Sequence, residues 1–169
     1  MSLGMYGASI PVYQRQLGAL AKVLEKGSAW AVAKKVDEAV LGATRLTPDM
    51  LPFTRQVQIA CRFAEESAAR LAGAEVPAPH DNSEKTLGEL QKRIAAVRTY
   101  LEGFKAEQID GSEGREVVLT IAGTPLKLNG EQYLLHFALP NFYFHCTTAY
   151  AILRQSGVEI GKRDYLGAV

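Results

Sequence analysis

Apolar residues recur at three- and four-residue spacing over four long stretches of the chain, and that period predicts four amphipathic helices. In the first stretch Ile10, Tyr13, Leu17, Leu20 and Leu24 make one stripe, with Gln14, Arg15, Lys22 and Glu25 falling elsewhere. A helix from about Ser2 to Lys26 is predicted, stopped by Gly27. Pro11 falls in its second or third turn, so either the helix kinks there or it starts at Pro11. Between residues 28 and 50 the period breaks at Gly42 and Pro48, which predicts only short turns around Ala29 to Lys35 and Asp37 to Leu41.

The second helix is predicted over Pro52 to Ala72, with proline at a helix start and Gly73 as the stop. Its stripe is Phe53, Val57, Ala60, Ala64, Ala68 and Leu71, whose alanines allow a neighbouring helix to come close, and Gln58 lies beside that stripe. Residues 74 to 83 hold two prolines and no period, so they predict a loop with an exposed His80. Thr86 followed by Glu89 predicts a capping box, and Leu87, Leu90, Ile94, Val97, Leu101 and Phe104 continue as a bundle seam. Arg115 to Leu128 alternates, is rich in β-branched residues and carries a turn signal at Ala122, Gly123 and Thr124, the pattern of a β-hairpin. The last helix is predicted from Asn129 to Ser156, stopped by Gly157, with the remaining tail extended along the outside. The expected fold is mainly all-α, a four-helix bundle with a small hairpin before its last helix, as one domain over residues 1–169.

Composition narrows the classes of function. The chain has 47% hydrophobic and 22% charged residues and a net charge of +1, so nothing in its charge gathers nucleic acid. No apolar run reaches membrane-spanning length, and the N-terminus lacks the basic start and apolar core of a signal peptide. A cytoplasmic protein with no nucleic-acid or membrane partner is the expectation. Cys61 and Cys146 have no CxxC spacing, so they are expected to be small buried side chains rather than a disulfide or a zinc knuckle.

Candidate chemistry concentrates in the last helix. Asn141 and His145 are four residues apart and therefore share a helix face, and Pro140 just before them cannot donate to the carbonyl of His136. The proline predicts a bend that aims the pair into the bundle while another group takes up the freed carbonyl, unless residues 130 to 139 are not helical and Pro140 marks an ordinary helix start. His136, nine residues before His145, points the other way. Tyr143 and Tyr150 carry hydroxyls that can reach a pocket, and Phe137, Phe142 and Phe144 line the same region. The expected pocket is Gln58, Asn141, His145 and Tyr143. A single imidazole among neutral amides is a poor transition-metal set, so no cofactor is expected, the alternative being a divalent ion such as zinc or nickel on His145.

Three stretches carry a resemblance: LTPDMLPFTRQVQIA at residues 46 to 60, FALPNFYFHCTTAYAILR at 137 to 154 and GVEIGKRDYLG at 157 to 167. They resemble the signature segments of an uncharacterised bacterial family within the DinB/YfiT-like superfamily, and the likeness covers nearly the whole chain. The resemblance implies a four-helix bundle, a frequent dimer, and a metal branch with one histidine on the second helix and a His-x-x-x-His pair on the last. Here that pair stands as Asn141 and His145, and the second-helix position falls near Gln58. Two of the three ligands are thus amides, and only His145 transfers as a ligand-type residue. Three readings follow: a small-molecule-binding or vestigial pocket, a divalent-metal-dependent hydrolase or thiol transferase of the superfamily, and a structural or interaction dimer. A homodimer is expected from the apolar surface of the alanine-rich and aromatic-rich helices.

Overall fold

The computed structural model describes residues 3–121 and 123–167. Its frame is four long helical rods: α1 (Met5–Lys34), α3 (Phe53–Ala72), α4 (Leu87–Glu102) and a last rod over residues 130–155. Around the bundle α1 packs on α4, α4 on α3, α3 on the last rod, and the last rod on α1. The predicted stripes are the core: Tyr13, Leu17, Leu24, Phe53, Val57, Leu87, Leu90 and Leu101 have no exposed surface. Along α3 the buried alanines 60, 64 and 68 let the last rod approach closely, and it is there that the two most extensively packed helices meet. Cys61 and Cys146 are both buried there and free, and burial pushes the Cys61 thiol up to about 12.

Local signals set most boundaries. Thr86 accepts from the Glu89 amide at 3.2 Å while Glu89 accepts from the Thr86 amide at 3.0 Å, closing the predicted capping box. Gly73 ends α3 in the left-handed region at φ 66°. Strands β1 (Glu116–Ile121) and β2 (Thr124–Asn129) pair antiparallel with Val117 opposite Leu128 and Leu119 opposite Leu126. Ala122, part of the predicted turn, lies outside the described residues, as does Ser2 at the predicted start of the first helix.

Three expectations are corrected, and the open choice at Pro11 is settled. Gly27 does not stop α1, which runs on to Lys34 and ends at Lys35 with φ 57°. Its lack of a side chain serves packing instead: a Cβ there would sit 2.7 Å from Leu87 Cδ2 and 3.2 Å from Leu153 Cδ1. Pro11 lies inside α1, with its side chain on the exposed face. The turns expected around Ala29 to Lys35 belong to α1, leaving only α2 (Glu38–Ala43) as a separate element in the excursion. The tail is not simply extended. Val158 and Ile160 are buried, and the short helix α8 (Lys162–Leu166) docks on α1 through a Lys26–Asp164 ion pair of 2.7 Å and a Gln16 amide donating to the Tyr165 carbonyl. A further short helix, α5 (Ala106–Ile109), leads to the hairpin.

Pro140 shapes the last rod. It begins with α6 (Gly130–Gln132), passes through a π-helical segment (Tyr133–Ala138), and continues as α7 (Leu139–Gln155). Residues 130–139 are therefore helical, and the proline lies within the rod. The Leu139 amide reaches back five residues to the Leu134 carbonyl, which widens the turn ahead of the proline ring. Asn141 Nδ2 donates to the Phe137 carbonyl at 2.7 Å, so its side chain takes up that carbonyl and not the His136 carbonyl expected.

Candidate functional site

On the last rod Phe137, Asn141 and His145 follow at four-residue spacing and share one flank. On α3 the facing flank is Gln56, Phe63, Glu66 and Arg70, again at helical spacing. Phe63 joins the two. Its ring stacks on His145 at 6.1 Å between centroids, 18° from parallel, and meets Phe137 edge-on at 5.8 Å.

The amide that meets His145 is Gln56. Gln56 Nε2 donates to the Leu51 carbonyl at 2.9 Å, which leaves Oε1 as the acceptor facing His145 Nδ1 at 2.7 Å. An acceptor there requires the proton on Nδ1, so Nε2 carries the lone pair. The chain of three groups thus fixes one tautomer. His145 is 9% exposed, and burial without a facing carboxylate holds its pKa down, from 6.5 to about 4. It is a neutral imidazole at physiological pH, and among the described residues its one hydrogen bond is the bond to Gln56.

Gln58 sits elsewhere. Two residues along a helix is 200° of rotation, and Gln58 is buried beside the loop that precedes α4, where its amide donates to Glu84 at 2.9 Å and its oxygen accepts from Arg55 at 2.8 Å. Glu84 in turn pairs with the buried Arg93 at 3.1 Å. Tyr143 turns away as well: it is 37% exposed and lines a dent with Val12, Arg15 and Tyr165 on the α1 side. Of the four expected pocket residues, Asn141 and His145 share a flank, and Asn141 spends its donor on its own helix. His80 is exposed in its loop, as expected, and its Nε2 lies 3.0 Å from the buried carboxylate of Glu65.

Gln56 was legible in principle. The spacing Phe53, Gln56, Ala60 continues the buried stripe, whereas Gln58 falls between its turns. Next to the His145 flank opens a cleft of about 420 Å³ lined by Arg62, Phe63, Glu66, Arg70, Phe137 and the β1 residues from Val118 to Ile121. Among the described residues no three or more His, Cys, Asp or Glu side chains group so as to hold a metal ion, and no helix is long and apolar enough to cross a membrane.

Residues 5–166 match the family model described as "Domain of unknown function (DUF1993)". The chain belongs to this family. The fold is similar to the crystal structure of a DinB family member protein from Shewanella denitrificans, with a TM-score of 0.87 and 43% identity over 97% of this chain and 92% of that one. This DUF1993 protein is therefore DinB-like, mostly helical with one small hairpin. No curated protein sequence matches it.

Proposed function

We propose that this DUF1993 protein binds a small molecule beside His145, and that its metal site has given way to a neutral imidazole held by an amide. The observation that carries this reading is the relay from the Leu51 carbonyl through Gln56 to His145, which keeps Nδ1 protonated and Nε2 free to accept a hydrogen bond. A resident divalent ion needs three or more good donors, and the groups around His145 do not fit one: Gln56 bonds the far nitrogen, and Asn141 binds its own backbone. A neutral imidazole with an unengaged nitrogen is suited instead to orienting a ligand N–H or O–H.

Metal content decides between this reading and a divalent-metal-dependent hydrolase or thiol transferase. Elemental analysis of protein purified without added metal should find no stoichiometric zinc, nickel or manganese. Near-stoichiometric metal that disappears in His145→Ala would overturn the proposal. Assembly as a homodimer, the basis of a structural role, is proposed as well, because Leu135 and Phe144 on the last rod are 44% and 54% exposed. Light scattering at tens of micromolar should return twice the mass of 18.4 kDa, and a monomer mass would reject it.

A further inference from the structure

The cleft between α3 and β1 is lined by two arginines and one glutamate, so it carries one net positive charge. Glu66 is shared unequally. Arg62 Nε holds Oε1 at 2.5 Å and Arg62 also donates to the Pro77 carbonyl at 2.7 Å, so this guanidinium is well engaged. Arg70 is not. Its Nη2 lies 3.4 Å from Glu66 Oε2, its Nη1 lies 3.3 Å from the Val118 carbonyl, and its buried Nε has no partner among the described residues. A guanidinium offers five N–H donors, and charge-assisted bonds are normally about 2.7–2.9 Å, so Arg70 is an under-coordinated cation at the wall of a cleft.

Apart from Thr120 the rest of the wall is apolar. Val118 and Ile121 are 44% and 43% exposed, and Phe63 and Phe137 close the inner side. At about 420 Å³ the space lies in the range of small-molecule sites, about 300–1,000 Å³. We infer that this cleft binds a small monoanionic carboxylic acid with an apolar body, its carboxylate on Arg70 and its body between Phe63, Phe137 and the exposed face of β1. One carboxylate balances the single uncompensated positive charge, and a planar carboxylate matches the guanidinium fork. The inference rests on the small-molecule reading above and gives it a ligand class. The occupant lies one aromatic ring from His145, because Phe63 stacks on the imidazole.

The test uses 4-phenylbutyrate, 4-phenyl-1-butanol and inorganic phosphate on the wild-type protein, followed by calorimetry and by the His145 ring resonances. The acid should bind saturably, at least roughly tenfold tighter than the alcohol, a difference expected of one charge-assisted contact, and should shift the His145 ring signals. Arg70→Gln should weaken the acid roughly tenfold and leave the alcohol unchanged. Glu66→Gln removes the competing carboxylate and should tighten the acid, an effect that loss of a merely structural ion pair would not produce. Equal binding of acid and alcohol, both shifting His145, overturns the ligand class and leaves the pocket reading standing. Binding of phosphate as tight as that of the acid overturns the apolar body. Absence of binding by all three probes overturns the ligand class, while the small-molecule reading is decided by metal content, and unchanged or weaker acid binding in Glu66→Gln overturns the role of Arg70.

Discussion

Replacing His145 by glutamine isolates the consequence of burying a neutral imidazole. Glutamine keeps a donor able to reach Gln56 Oε1, but it does not titrate. In the wild type the native imidazole has its pKa lowered from 6.5 to about 4 by burial, while in the unfolded chain it returns to about 6.5. Between those two values the unfolded state binds a proton that the native state refuses, so stability falls as pH falls through this window. Above pH 6.5 neither state is charged and the contribution is complete. Below about pH 4 both are protonated and no more is lost. The full shift corresponds to about 3 kcal/mol at 1.36 kcal/mol per unit, and solvent contact at the ring edge reduces this to about 2 kcal/mol. Urea unfolding of both proteins between pH 4 and 7.5 gives the difference directly. Carboxylates held low by hydrogen bonds, such as Asp81, Glu89 and Asp164, also weaken the fold on acidification, but they cancel between the two proteins. The wild type should lose about 2 kcal/mol more than His145→Gln on going from pH 7 to pH 4. Parallel curves would refute the buried neutral histidine.

Gln56→Leu leaves His145 Nδ1 without an acceptor, so it should cost about 1–3 kcal/mol and shift the imidazole ¹⁵N pattern away from a single Nδ1–H tautomer; an unchanged pattern would show that Gln56 does not set it. Gly130→Ala drives a Cβ against the Ser112 carbonyl oxygen, and backbone cannot yield as a side-chain tip can, so a loss of at least about 2 kcal/mol is expected in chemical denaturation. Thr86→Ala opens the capping box of α4 and should cost about 1 kcal/mol in the same assay. Pro140→Ala restores a backbone donor to a rod already adapted to lack it, so it should disturb the Asn141–Phe137 bond seen by NMR yet cost less than a core truncation, about 2–5 kcal/mol. A loss of that size would mean the π-helical turn is itself a packing requirement.

Helical period and end signals carry the architecture in the sequence alone. The stripes from Phe53 to Leu71 and from Leu87 to Leu101 are buried as their spacing requires; Thr86 acts through its hydroxyl in a local capping box, and Gly73 and Gly157 through their own backbone geometry, without tertiary help. Gly27 misled because its role is set by Leu87 and Leu153, which arrive from other helices, and no local rule separates a glycine that stops a helix from one that admits a neighbour. The tail misled for a similar reason: Lys26 and Gln16, far away in the chain, hold the turn at 162–166. At the site, the sequence marked His145 and the flank it shares with Asn141, because four-residue spacing is a property of one helix. Which residue of α3 meets it was decided by the rotation of α3 about its axis against the last rod, where two positions are 200° apart, and that rotation selects Gln56 for the imidazole and sends Gln58 to Glu84. The cleft likewise exists only once β1 is folded against Arg62, Glu66 and Arg70, since a hairpin's docking depends on the surface it finds and not on its own alternation.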